Sequence, residues 1–283
     1  MTQAVALATE DYEYFCQFLE QKCGIVLGTN KQYLVTSRLN RLTNEFSLAG
    51  LDELMDNLKK GVNRKLQERV VDAMTTNETS WFRDNYPFEM LKNSIYPELA
   101  KTVSGPIRIW SAASSTGQES YSISIATTEF QQRNPGLLNN PVEIIGTDIS
   151  PSVVQIAREA KYDELSLARG LSAERREKFF IDHHDGGLSV RSEIRSRTRF
   201  SELNLMGNYS LLGKFDIIFC RNVLIYFSSE MKSDILTRMA QVMKPRGYLF
   251  LGGSESPTGY CSAFEMVRLP DGVVYRLKDG WKP

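Results

Sequence analysis

The residues whose types and spacing could do chemistry fall into three short stretches. The first is IRIWSAASSTGQESYSI, residues 107–123, which reads as a strand, a loop of small residues and a helix start. Such a loop lets a ligand approach the backbone, and the helix start offers free N–H groups. With Gly117 as its only glycine the loop lacks the GxGxxG dinucleotide pattern, and taken alone it is more readily an ordinary strand-to-helix turn than a ligand loop. The second stretch is VEIIGTDIS, in which Asp148 ends the next strand. A carboxylate there can hold a ribose diol, or it can cap the helix that starts at Pro151. Together, loop and acid imply a nucleoside-bearing ligand. The third stretch is TTNETSWFRD, residues 75–84, which crowds Asn77, Thr79, Trp81 and Arg83 into a junction between two differently patterned regions. Ligand sites tend to form at such junctions, and a Trp-Phe-Arg cluster is unfavourable in a mere polar linker.

The elements that must position these residues follow from periodicity. Over the first hundred residues the apolar spacing is helical. Tyr12, Phe15, Cys16 and Leu19 lie on one side of a helix that Thr9 can cap and Gly24 can end. Val35, Leu39, Leu42 and Phe46 form a second, with Arg38 and Arg41 on an adjoining flank, and two shorter helices follow from Leu51 and through Leu66, Val70 and Met74. From Ile107 onward, short apolar runs alternate with amphipathic helices, which predicts parallel strands covered by helices. FEMVRL, the turn Pro270-Asp271-Gly272 and VVYRL predict a closing hairpin and hence an antiparallel strand at one end of the sheet. Between Lys161 and Phe200 this rhythm is interrupted, which an inserted hairpin subdomain explains better than a long loop. There the alternation of Arg195, Arg197 and Arg199 predicts three charges on one face of a strand.

The expected fold is therefore α/β: a Rossmann-like sheet with an antiparallel terminal strand, an N-terminal helical domain and a small inserted antiparallel β subdomain. The boundaries expected are 1–84 for the helical domain and linker and 85–283 for the α/β domain, with the insertion at about 163–200.

Composition excludes several classes. Thirty-four basic residues balance thirty-four acidic ones, so no global field draws the chain to nucleic acid or an anionic membrane. Cys16, Cys23, Cys220 and Cys261 form no CxxC pair, and no metal-ligand spacing surrounds His183 and His184, so neither a disulfide framework nor a zinc site is expected. No segment reaches the ~20 apolar residues that span a bilayer, and no leader is evident, so the expected location is cytoplasmic without membrane insertion.

At this point the sequence resembles the CheR-type chemoreceptor methyltransferases over nearly its whole length. TTNETSWFR is similar to that family's N-x-T-x-F-F-R segment, SAASSTGQESYS to its loop S-A-A-x-S-T-G-E-E-P-Y-S, and FDIIFCRNVLIYF to the block around its fourth strand; SELNLM and GYLFLGGSES fit as well. The resemblance implies the sheet of an S-adenosyl-L-methionine methyltransferase, with S-adenosyl-L-homocysteine as product and glutamate side chains of methyl-accepting chemoreceptors as substrate. Carried over residue by residue, it implies cofactor contacts from Asn77, Thr79, Arg83, Glu119, Asp148, Asn204, Leu205, Arg221 and Asn222, with Arg83 and Tyr226 beside the transferring methyl. Leu205 could equally be plain core, and Arg221 could serve an internal ion pair.

Two departures stand out: Trp81 replaces a Phe and keeps an aromatic wall, and Gln118 and Ser120 replace Glu and Pro around Glu119. The resemblance also implies that the N-terminal helices, through a basic flank such as Lys31, Arg38 and Arg41, face the receptor's helical methylation region; a merely solvated helix face is the alternative. In some members the inserted hairpin tethers a receptor's carboxyl-terminal peptide. The turn DHHDGG here is shorter and poorer in glycine than in those members, which argues against tethering. Three competing readings are disfavoured. A nicotinamide oxidoreductase lacks its glycine triplet, a nucleobase or small-molecule methyltransferase lacks the N/D-P-P-Y/F motif and a Pro-Cys pair, and an idle cofactor-binding module would not need Arg83, Asp148 and Tyr226.

Overall fold

A computed structural model describes residues 7–282. The chain divides into two compact units. One comprises the chain up to Thr76 together with Tyr226–Met231, and the other comprises Asn77–Ile225 and the chain from Lys232.

The first unit is built on four helices, α1 (Thr9–Cys23), α2 (Gln32–Glu45), α3 (Leu51–Lys60) and α4 (Arg64–Met74). Their apolar stripes supply Phe15, Leu19, Val35, Leu39, Leu54, Leu58, Leu66 and Val70 to a common core. Gly24 and Gly61 end α1 and α3 in the left-handed conformation that a residue without Cβ adopts most easily. Thr9 does not cap α1; it is already helical, after Ala8 at the cap position. Arg38 is not left free on its flank. Its guanidinium donates to the carbonyls of Met74 (2.6 Å) and Thr75 (3.0 Å) and to Thr76 Oγ1 (3.2 Å), satisfying the end of α4. Arg41 and Lys31 are exposed.

The second unit begins with α5 (Tyr86–Met90), a π-helical turn over Leu91–Ile95 and α6 (Tyr96–Thr102). The α/β alternation then runs β1 (Ile107–Ala112), α7 (Gln118–Arg133), β2 (Val142–Asp148) and α8 (Pro151–Glu159). The interrupting segment holds β3 (Lys161–Tyr162), α9 (Glu164–Ala168), α10 (Ala173–Phe179), β4 (Phe180–Asp182), β5 (Leu188–Val190) and α11 (Ser192–Arg195). Last come β6 (Thr198–Glu202), β7 (Phe215–Cys220), α12 (Ser229–Gln241), β8 (Met243–Leu251), β9 (Phe264–Leu269) and β10 (Gly272–Leu277). The seven-stranded sheet has the order β6-β2-β1-β7-β8-β10-β9. Five strands are parallel, and the terminal hairpin β9–β10 joins β8 antiparallel, as the turn Pro270-Asp271-Gly272 predicts. Every residue of β7 is buried, and Phe219 stacks on Phe250 of β8 with ring centroids 4.5 Å apart.

The inserted sheet has the order β3-β5-β4 and is wholly antiparallel. Strand β6 belongs to the large sheet, where it pairs with β2. The expectation of three arginines along one strand face is corrected here: Arg195 ends α11, Arg197 precedes β6, and only Arg199 is in the strand. Arg197 turns inward to Thr128 Oγ1 (2.7 Å) and Gln131 Oε1 (3.0 Å) on α7. His183, His184 and Asp185 sit on the β4–β5 turn with potential ligand atoms within 4.8 Å of one another, and Lys161 Nζ lies 3.1 Å from Asp185 Oδ2. No helix among the described residues is long and apolar enough to cross a membrane.

Candidate active site

Parallel strands bring the carboxyl ends of β1, β2 and β7 side by side, with Ala112 level with Thr147 and with Cys220. In an open α/β sheet this is the edge where ligands bind. The loop after β1 is drawn tight there. Ser115 donates its backbone N–H to Asp148 Oδ2 (2.8 Å) and its hydroxyl to the Asn77 carbonyl (2.8 Å), so one serine ties the β1 loop to both the tip of β2 and the 77–84 segment. Asp148 is buried and its other oxygen accepts the Ser150 N–H (3.0 Å). Ser150, not Asp148, caps α8, by accepting from Val153 N (3.4 Å). The structure therefore gives Asp148 the job of holding two loops at the sheet edge.

A charged cluster closes the site between β1 and β7. Arg221, whose side chain is 1% exposed, donates to Glu119 Oε2 (3.0 Å), Asp84 Oδ2 (2.6 Å) and the Arg83 carbonyl (2.9 Å). Glu119 stands in the first turn of α7 and takes a further bond from Ser111 Oγ (2.8 Å). Arg221 and Glu119 thus pair with each other, which is the internal ion pair allowed for Arg221 in the sequence. Asp84 was not singled out beforehand; its place after the Trp-Phe-Arg run was the available signal. Glu255 was missed as well. Its carboxylate accepts the backbone N–H groups of Asn222 (2.7 Å), Gly252 (2.7 Å) and Ile225 (3.3 Å), bracing the segment after β7. A Cβ on Gly252 would come within 2.7 Å of both Asn222 Nδ2 and Glu255 Oε2, which explains the glycine in the GGSES stretch.

The backbone is unusual in the same places. Phe82, Asp84, Asn85, Ala113, Ser115 and Asn222 all have positive φ without being glycine. Each such residue costs of the order of 1 kcal/mol, and such strain concentrates at functional sites. Arg83 is half-buried within that run, with Nη1 3.3 Å from the Glu78 carbonyl. Thr79 and Asn77 are half-buried too. Asn204 turns its own loop by accepting from Met206 N (2.9 Å), and Leu205 is buried, its carbonyl accepting the Tyr209 hydroxyl. Trp81 does not stand free as an aromatic wall. It packs edge-on against Tyr162 (5.0 Å) and Phe180 (5.1 Å) of the inserted sheet. Tyr226 belongs to the first unit, where its carbonyl accepts from Val26 N (2.9 Å).

Three buried polar atoms at this edge, Ser114 Oγ in the β1 loop and Arg221 Nε and Asn222 Oδ1 after β7, have no hydrogen-bond partner among the described residues. Native structures rarely leave such atoms unsatisfied, so a ligand rich in donors and acceptors fits here. S-adenosylmethionine, with its amino acid, ribose and adenine, is such a ligand. Both histidines lie on the β4–β5 turn, outside this set of residues.

Comparison with known proteins bears on the same regions. Residues 77–273 match the family described as CheR methyltransferase, SAM binding domain, and residues 10–75 match CheR methyltransferase, all-alpha domain. The chain is 54% identical to a chemotaxis protein methyltransferase of Vibrio parahaemolyticus over 97% of this chain and 99% of that protein. It is 50% identical to chemotaxis protein methyltransferase 1 of Pseudomonas aeruginosa over 97% and 100%, and 34% identical to the chemotaxis protein methyltransferase of Salmonella typhimurium over 94% and 90%. A sheet edge with unpartnered buried polar atoms, an N-terminal unit built on helices and matches covering both regions lead to one conclusion: the chain belongs to the CheR methyltransferase family and carries that family's S-adenosylmethionine-binding domain.

Proposed function

We propose that the protein methylates glutamate side chains of methyl-accepting chemoreceptors, giving glutamate methyl esters and S-adenosylhomocysteine, in chemotaxis or a chemotaxis-like pathway. The observation that carries the reading is the polar, histidine-free site at the ends of β1, β2 and β7, in a chain whose near-full-length relatives are named chemotaxis protein methyltransferases. Bound S-adenosylmethionine supplies an electrophilic methyl on a positively charged sulfur. A glutamate has a reference pKa of ~4.3 and is ionised near pH 7, so no general base is required.

In this proposal the chain's own residues position and desolvate. Asn77, Thr79, Arg83, Glu119, Asp148, Asn204, Leu205, Arg221 and Asn222 line the cofactor pocket. Asp148 takes the ribose while keeping its bonds to Ser115 and Ser150, and the Glu119–Arg221 pair forms a rigid wall. Arg83 orients the incoming carboxylate through its planar fork, and Tyr226 helps exclude water around the methyl. Lys31 and Arg41, with the more constrained Arg38, face the receptor's helices. The experiment is incubation with radiolabelled S-adenosylmethionine and receptor-containing membranes. Label in the receptor band that base releases as methanol is the expected result, and base-stable label would reject carboxyl methylation.

A further inference from the structure

The alternating arginines before β6 have no part in the reading above, and the fold divides them. Arg197 turns into α7, whereas Arg195 and Arg199 line an open groove of about 530 Å³ together with Arg158 of α8. No carboxylate lines this groove. The three guanidinium groups take part in no ion pair among the described residues, although nearby Arg175 and Arg176 are paired with Glu129 and Glu164. Two of the three are held in place. Arg158 donates through Nε (3.1 Å) and Nη2 (3.0 Å) to the Phe200 carbonyl, and Arg195 Nη2 donates to the Arg158 carbonyl (3.2 Å). The buried aromatic residues Tyr121 and Phe200 complete the lining.

We propose that this groove binds a small phosphate ester of nucleotide size, apart from the methyl-transfer site. Three unneutralised positive charges sharing one concavity repel one another, and an anion relieves that repulsion. The Ser196 and Thr198 hydroxyls already donate to the carbonyls of Glu193 (3.0 Å) and Arg195 (2.9 Å), so recognition falls on the guanidinium groups. Guanidinium forks match phosphate oxygens in pairs. The volume is in the range of small-molecule sites. A polynucleotide is the poorer fit, because a chain with equal numbers of basic and acidic residues lacks the extended field that such a partner requires.

The test is calorimetric titration of inorganic tripolyphosphate into the full-length protein saturated with S-adenosylhomocysteine, which keeps the probe out of the cofactor site. Saturable binding is expected, weakened at least ~10-fold in the Arg195→Ala/Arg199→Ala double variant, the scale of losing one charge-assisted hydrogen bond. Arg199→Ala alone, at an exposed side chain, should weaken binding in the same direction with an unchanged melting temperature. Arg268→Ala, at an exposed arginine of β9, should leave binding unchanged. Absence of saturable binding, equal binding by the double variant, or an oligoglutamate peptide binding as tightly as tripolyphosphate would overturn the proposal.

Discussion

Replacing Arg221 by methionine should destabilise the second unit by about 3 kcal/mol. The side chain is 1% exposed and meets two carboxylates of different character. Glu119 is 13% exposed, so losing its partner leaves a nearly buried charge supported only by Ser111, a situation that typically costs about 3–5 kcal/mol. Asp84 is 44% exposed, and water replaces most of what that bridge supplies, so it adds only about 0–1 kcal/mol. The low end of the buried-pair range is appropriate because Glu119 keeps some access to solvent. For a domain of this size the loss corresponds to roughly 6–12 °C in melting temperature. All three tryptophans, Trp81, Trp110 and Trp281, belong to the second unit, so urea titration followed by tryptophan fluorescence reads that unit directly. Glu119→Gln should destabilise by itself, and the double variant should lose less than the sum of the singles, because the stranded charge is gone. A loss below ~1 kcal/mol for Arg221→Met, or additive losses in the double variant, would refute the account of Arg221 as a buried tie between the two loops.

Arg83→Ala should slow receptor methylation at least ~10-fold, about 1.4 kcal/mol of transition-state stabilisation, in single-turnover assays with saturating cofactor, and Arg83→Lys should recover only part of it; near wild-type rates would remove Arg83 from the chemistry. Asp148→Ala should weaken S-adenosylhomocysteine binding by about 1–3 kcal/mol in calorimetry, and it should also lower the melting temperature because Ser115 and Ser150 lose their acceptor. Glu129 is held below the usual carboxylate range: burial pushes its pKa up, but the hydrogen bonds and charges of Arg175 and Lys92 outweigh that. Its contribution to stability is therefore present above the unfolded value of ~4.3 and lost as pH falls through the lower folded value, so Glu129→Gln should be less stable than wild type at pH 7 in chemical denaturation, and the difference should shrink as pH falls below ~4.3. Burial pushes the Cys23 thiol up to about 11, Cys220 well above the usual thiol range and half-buried Cys16 upward as well, so at pH 8 a disulfide-exchange reagent should modify half-buried Cys261 first and leave Cys23 and Cys220 unmodified until the protein is unfolded.

The sequence alone determined the alternation of strands and helices and the antiparallel close of the sheet. Periodicity is a local property: Phe15 and Leu19, or Val35, Leu39 and Leu42, face one way because a helix turns every 3.6 residues, whatever lies opposite. The strand-to-helix loops after Ala112 and Asp148 were legible for the same reason, since small residues, Asp148 and Pro151 act on their own neighbourhood. The terminal hairpin announced itself through Pro270-Asp271-Gly272. Partners distant along the chain were the province of the tertiary structure. Only strand order places Arg221 beside Glu119 and Asp84, 102 and 137 residues away, and only the loop's closure gives Ser115, not a ligand alone, to Asp148. Ser150 rather than Asp148 caps α8 because two adjacent acceptors compete and backbone geometry decides between them. The arginines at 195, 197 and 199 show the same division most plainly. A period of two predicts a strand face, but α11 ends at Arg195 and β6 begins at Thr198, so one charge turns in against α7 while the other two line a groove with a third from α8. Alternation in sequence specifies a face only where the backbone is extended throughout, and which residues are extended is settled by the sheet they join.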